Sequence, residues 1–320
     1  MRWLSRRSFW LVAAVGLVLL LPFFGSEQIP FGDWQNPVSA GYRILWQLRV
    51  PRLALTLWVG GSLAVLGATY QILFHNPLAE PYLLGISSAV TLGIGLGEIF
   101  FSLAPYSYLS VLAGLAAALL ATVVLITLSL SSLGDALDRI VLFGTGLNFL
   151  LSATLFLALS YHEQQMGGGS LRWLFGQIPW LSARGVLIFA GISVPFLGWL
   201  FLKARTLDAL GLGDAVARTL GVSVAGERAH LVLVTSILVS LIVAFTGSIG
   251  FVGLIVPHAV RLLFRPPNTR TLFTSAFVMG AVFLSLSDVV SRAILPPFEF
   301  PIGIITTVVG TPFFLYLLWR

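Results

Sequence analysis

Residues 230–264 read HLVLVTSILVSLIVAFTGSIGFVGLIVPHAVRLLF, with no Asp, Glu, Lys or Arg from Leu231 until Arg261. The hydrocarbon core of a bilayer asks for about 20 apolar residues per helix. The stretch therefore predicts two membrane helices, near 230–246 and 250–264, the second short for a full crossing. Glycines at 247, 250 and 253 suit close helix approach. Pro257 and the basic end at Arg261 mark an inner terminus.

Working outward, apolar runs predict further spans near 8–24, 50–74, 82–103, 107–131, 138–160, 185–202, 272–294 and 302–319. That makes about ten, and the fold class expected is an all-α integral membrane protein. Composition agrees: of 320 residues 58% are hydrophobic and 9% charged, with a mean hydropathy of +0.97. Soluble domains carry about 25% charged residues, so most of this exterior must face a lipid bilayer. The net charge of +6 is no nucleic-acid footprint, because the arginines stand singly between apolar runs instead of sharing one face.

Charge also predicts orientation. With the N-terminus inside, the inner segments hold Arg2, Arg6, Arg7, Arg139, Lys203, Arg205, Arg218, Arg228, Arg261, Arg265, Arg270 and Arg320. The outer ones hold Arg43, Arg49, Arg52, Arg172, Arg184 and Arg292, so all 18 basic residues split 12 to 6. Positive-inside counting thus predicts N-in and C-in. The N-terminal run, Arg6-Arg7 followed by Phe9 to Phe24, lacks a small-x-small cleavage site. It is expected to stay as a first helix.

Three polar segments interrupt the pattern. Residues 25–49 and 161–184 are expected as outer loops, the latter with Gly167-Gly168-Gly169, Trp173 and Trp180. Residues 203–229 form the longest and most charged inner segment, expected as short helical pieces around Gly211, Gly213, Gly221 and Gly226. The chain, 1–320, is expected as one transmembrane domain.

Several chemistries are excluded. The single lysine, Lys203, follows Leu202, whereas a phosphate-binding loop needs Gly-Lys-Ser/Thr. His162-Glu163-Gln164-Gln165-Met166 lacks the second histidine of a zinc-protease helix. Cysteine is absent, the four histidines (75, 162, 230, 258) have no ligand spacing, and no G-x-S-x-G occurs. The expectation is no catalysis, no cofactor and no resident metal.

Other segments carry information. Gln71-Ile72-Leu73-Phe74-His75-Asn76-Pro77-Leu78-Ala79-Glu80-Pro81 sets two prolines around a polar break, which suits a tight reversal between helices. Asp288 and Arg292, four apart, share a helix face and can pair, which lowers the cost of a charge within a span. Glu299-Phe300-Pro301-Ile302-Gly303 follows.

Together Q-x-x-x-x-N-P-L-A-x-P, G-F-V-G-L-I-V-P-H-x-x-R, the D-x-x-x-R helix and E-x-P-I-G-x-x-T-x-x-x-G-x-P-x-F resemble, in order from Trp46 to Leu318, the permease family of iron-siderophore, haem and cobalamin ABC importers. The resemblance implies the type II ABC importer permease architecture, with ten helices per subunit in a dimer of two permease copies. It implies two ATP-binding subunits on the inner face, a periplasmic or surface substrate-binding protein on the outer face, and a place in the bacterial inner membrane. The family motif L-G-x-x-x-A-x-x-L-G matches residues 212–221. By that match Leu212, Gly213, Ala215, Leu220 and Gly221 belong to the helix that couples to the ATPase. Leu48-Arg49-Val50-Pro51-Arg52 matches L-R-x-P-R, so Arg49, Arg52 and Arg292 resemble basic sockets for acidic side chains of the binding protein. Gln71, Asn76, Pro77 and Leu78 are expected at the inner gate of the translocation path. The implied function is import of an iron chelate, siderophore or haem, by alternating access, with cobalamin the alternative cargo. An ion-coupled secondary transporter is the reading from another class. Against it, Glu98, Asp288 and Arg292 all lie toward the outer side, away from the midplane where a proton relay works.

Overall fold

The computed structural model describes residues 16–18, 20–24, 29–101, 107–130, 136–166, 175–295 and 298–319. Its long elements are α1 Val50–Leu73, α2 Ile86–Phe101, α3 Tyr108–Leu130, α4 Ala136–Met166, α5 Ala183–Leu202, α6 Ala204–Gly211, α7 Asp214–Thr219, α8 Val224–Thr246, α9 Val252–Phe264, α10 Thr269–Ala293 and α11 Ile302–Trp319. Nine of the expected spans thus coincide with a helix. Of the span expected at 8–24, residues 8–15 and 19 lie outside the described residues. Arg2, Arg6, Arg7, Glu27, Gly167 to Gly169, Arg172, Trp173 and Arg320 do too. Among the described residues six helices are long and apolar enough to cross a membrane, the longest running Ala40–Leu73; the segments Ile86–Phe101, Val252–Phe264 and Ile302–Tyr316 are shorter.

α1 is the axis of the molecule. Every residue from Val59 to Gln71 is buried, and α10 lies along it most extensively, with α9 against both. Gly60 and Gly280 face each other where α1 meets α10, and Gly67 meets Gly253 where α1 meets α9. Without side chains at these points the backbones approach to contact, the main source of helix association in lipid, where apolar burial gives no net drive. α2 packs on α3 and α4, and α8 on α3. α4 and α5 are peripheral and keep Phe149, Leu150, Phe156, Leu157, Leu187 and Ile192 exposed, the surface a lipid-facing helix presents.

Three boundaries differ from expectation. The segment expected as outer loop to residue 49 is helical from Ala40, where Ser39 Oγ accepts the Tyr42 N–H at 3.1 Å. A π turn at Arg43–Arg49 leads straight into α1. It widens the helix just ahead of Pro51, whose ring would press on the carbonyl four residues back. α4 runs on to Met166, since Glu and Gln are good helix formers whether or not lipid surrounds them. α8 begins at Val224, so the last residues of the expected 203–229 segment are its first turns.

The unwound backbone at 175–177 is satisfied by the ends of α8 and α11. The Gln177 N–H donates to the Thr246 carbonyl at 2.7 Å, and the Ile302 and Gly303 N–H groups donate to the Gly176 and Phe175 carbonyls at 2.9 and 3.1 Å. Irregular chain at membrane depth persists only when enclosed in protein in this way. Of the three glycines expected to aid packing, Gly253 does so. Gly247 has φ 66° and caps α8. A Cβ on Gly250 would meet only Glu80 Oε1 at 3.7 Å.

Candidate functional site

The reversal after α1 is a Schellman cap. The Asn76 N–H donates to the Gln71 carbonyl and the His75 N–H to the Ile72 carbonyl, each at 3.2 Å, the paired 6→1 and 5→2 bonds of that motif. His75 takes the left-handed position, φ 48°. Asn76 then holds the turn, its Oδ1 accepting the Leu78 N–H at 2.9 Å. Pro77 and Leu78 are exposed and share a cleft with Leu254, Ile255 and His258 of α9 and Phe313 and Phe314 of α11. Gln71, by contrast, is buried. Its Nε2 donates to the Gly253 and Leu254 carbonyls at 3.3 and 3.1 Å, and its Oε1 accepts a short bond from Arg261 Nη1. The four residues expected at the inner gate therefore divide: Asn76, Pro77 and Leu78 shape the turn, and Gln71 rivets α1 to α9.

Sequence reasoning assigned no role to Glu80, although an acid inside the Asn76–Pro81 motif was the signal. Glu80 follows this turn, in the connection between α1 and α2, with its carboxylate turned inward. Oε1 accepts the Phe251 N–H at 2.7 Å, the first free donor ahead of α9. Burial pushes its carboxyl up from 4.5 to about 7, against the lowering effect of the Phe251 N–H. Because the folded value is raised, the stability is full below about pH 4.5 and is lost as pH rises to about 7. The thermal midpoint of detergent-solubilised protein should fall across that window, and Glu80→Gln should flatten this slope. An unchanged slope in the variant would assign the pH dependence elsewhere.

The segment 203–229, expected to couple to an ATPase, presents an apolar knob. Leu212, Val216 and Leu220 are 66%, 41% and 62% exposed, and Ala215 and Gly221 are exposed beside them, while Ala217 is buried and anchors α7. Arg228 binds Asp214 with two bonds, at 2.8 and 2.6 Å, and so ties α7 to α8. Lys203 pairs with Glu227 at 2.7 Å. Gly213 (φ 101°, ψ 155°) and Gly221 (φ 83°) have nothing within 4 Å of a built Cβ. Their glycines answer to backbone conformation, not to crowding inside this chain; the angles of Gly213 are open essentially to glycine alone.

At the other end of α1, Arg52 Nη2 and Arg292 Nη2 pair with opposite oxygens of Asp288 at 2.9 and 3.0 Å, and Arg52 Nη1 pairs with Glu299 at 3.0 Å. Trp180 stacks on the Arg52 guanidinium, 4.2 Å from ring centroid to Cζ. Arg52 and Arg292 are thus brought together. Arg49 lies apart and donates to the Pro22 carbonyl at 3.1 Å. Arg52, Arg292 and Arg49 are all buried, at 3%, 6% and 4% exposure. The expected Asp288–Arg292 pair is present, and Asp288 serves a second arginine 236 positions away, which local spacing could not reveal.

No group of three or more His, Cys, Asp or Glu able to hold a metal occurs among the described residues. The sequence profile of the FecCD transport family matches residues 11–320. The vitamin B12 import system permease protein BtuC of Vibrio vulnificus is 35% identical over 319 residues, which cover 100% of this chain and 95% of that one. A chain assigned as an iron chelatin transport system permease protein of Helicobacter pylori is 34% identical over 323 residues, covering 97% and 96%. Among solved structures, an inward-facing conformation of a transporter assigned to the metal-chelate ABC type superposes with a TM-score of 0.83 at 28% identity, covering 97% of this chain and 98% of that one.

Proposed function

The chain belongs to the FecCD transport family, and on that premise we propose that it is the translocation subunit of an ABC importer for a metal chelate. Membership makes it a multi-pass membrane permease, and in this reading ATP hydrolysis falls to a separate subunit. The first reading of the cargo is a ferric siderophore or haem. Cobalamin is the second, favoured by the BtuC relative. The subunit works in the bacterial inner membrane as ten spans, N-in and C-in, paired with a second copy. Two ATP-binding subunits bind its inner face and a periplasmic or surface substrate-binding protein its outer face.

The observation that carries the reading is the apolar knob Leu212–Val216–Leu220, exposed on a segment in which Lys203, Asp214, Glu227 and Arg228 are spent on internal pairs. A short helix clamped by Arg228–Asp214 can be driven as a rigid body by a partner into which the knob fits. ATP binding moves it, and the turn at Asn76–Leu78 opens or closes the inner end of a path between the two copies. At the outer end Arg49, Arg52 and Arg292 receive acidic side chains of the binding protein. For Arg52 and Arg292 that requires Asp288 and Glu299 to yield, because a buried guanidinium exchanges one carboxylate for another more readily than it goes unpaired.

The test is uptake of radiolabelled ferric siderophore, haem or cobalamin into proteoliposomes holding the chain with its cognate ATP-binding subunit and binding protein. ATP-dependent uptake of one of them is expected. Uptake driven by a proton gradient without the ATP-binding subunit would sink the reading. In the same assay Gly213→Val, strained at φ 101°, should cut uptake by roughly tenfold or more, from about 1–3 kcal/mol of backbone strain, while ATP hydrolysis continues. Undiminished uptake per ATP would remove α7 from the coupling role.

A further inference from the structure

Among the described residues, one side-chain hydrogen bond joins the coupling segment to the inner turn. His75 Nε2 lies 2.8 Å from the Leu210 carbonyl at the end of α6. That same carbonyl accepts the N–H of Gly213, the residue that caps α7, at 3.0 Å. Two hydrogen bonds on one oxygen therefore join the N-cap of the coupling helix to the residue before Asn76. Nearby, a Cβ on Gly211 would stand 3.5 Å from Ile72, so the end of α6 rests on the last turn of α1 without locking to it by any other side-chain bond among those described.

His75 is an odd occupant for its position. The left-handed site of a Schellman cap favours glycine, and a residue with a Cβ sits there at some cost. Glycine would cap α1 equally well, so the cap does not explain the imidazole. The bond to Leu210 does. Other anchors of α6 reach elsewhere: Asp208 accepts the Thr269 N–H and hydroxyl at the start of α10, at 2.7 and 2.6 Å. Lys203, just ahead of α6, pairs with Glu227 on α8. His75 alone among these leads to the turn.

We infer that His75 is a positioning residue that passes displacement of α6 and α7 to the Asn76–Leu78 turn through its hydrogen bond to Leu210. The inference rests on the coupling and gate roles proposed above. It adds the residue through which they communicate.

The chain contains no cysteine, so Leu78→Cys installs its only thiol, on the exposed face of the turn. The complex with the cognate ATP-binding subunit is assembled in nanodiscs and labelled with a maleimide, nucleotide-free and after trapping with ATP and vanadate; label is read on this chain alone. With His75 present, the labelling rates in the two states should differ by roughly fivefold or more, a shift that one hydrogen bond can carry. Adding His75→Gly, which keeps the cap and deletes the ring, should bring the two rates to within about twofold, with nucleotide trapping intact. His75→Gln, which returns a side-chain donor at similar reach, should restore the difference. Should the glycine variant not assemble, His75→Asn takes its place, tolerant of the left-handed region and too short to reach Leu210. A nucleotide-dependent difference that survives loss of the ring overturns the inference, as does failure of Gln to restore it. Equal rates in the His75 chain itself strike the gate reading first, and the inference with it.

Discussion

Gly67→Ala is expected to leave almost no folded protein in the membrane fraction. Its Cβ would lie 1.9 Å from the Gly253 carbonyl oxygen and 2.4 Å from the carbonyl carbon and Cα. These are backbone atoms, so no rotamer change relieves the clash, and α1 and α9 must part. Parting them strips Gln71 of its bonds to Gly253 and Leu254 and disturbs the helix around which the others pack. Overpacking costs about 1–3 kcal/mol where side chains can yield; against rigid backbone the loss should sit at or above the top of that range. Gly198→Ala, with nothing within 4 Å of its Cβ, is the control and should purify like the parent. Matching yields and elution profiles for the two variants would mean that α1 and α9 do not cross this closely.

Asp288→Asn is expected to destabilise the bundle at the Arg52 end of α1 nearly as severely. The substitution keeps the shape and removes the charge shared by Arg52 and Arg292, both almost fully enclosed. Glu299 still faces Arg52, but Arg292 is left with the Asp288 backbone carbonyl, 3.3 Å from its Nε. Breaking a buried pair from one side typically costs about 3–5 kcal/mol, because a charge is stranded where it is poorly solvated. For a chain of this size that is a fall on the order of 5 °C or more in thermal midpoint. Combining Arg292→Met with Asp288→Asn removes the stranded cation and should recover part of the loss. A wild-type midpoint for Asp288→Asn alone would show that the network contributes little.

Much of this architecture was legible along the chain because its causes are local. Lipid imposes a length and an apolarity on each span, so the apolar runs marked the helix now seen at Thr269–Ala293, and the break after Thr246, expected to end before residue 250, runs to 251. The errors fell where that cause stops acting. Helices that leave the bilayer do not end there: α4 continues to Met166, α8 starts at Val224, and the π turn carries helix from Ala40 into α1. Hydropathy cannot see them, since polar residues outside lipid are free to be helical.

The candidate sites divide in the same manner. Asn76-Pro77 announced a turn and Asp288/Arg292 a pair, because i+1 and i+4 neighbours meet in any helix or reversal. Motif order along the chain was enough to name a family. Contacts between residues far apart in sequence were not readable: Gly67 on Gly253, Arg52 on Asp288, Gln71 on Arg261, Glu80 on the α9 N-terminus, His75 on Leu210. Each depends on which helices lie side by side and at what rotation. Hydropathy leaves that arrangement open, because any apolar face is equally at home in lipid. It was settled where glycines let backbones touch and where buried polar groups, cut off from water, had to find one another.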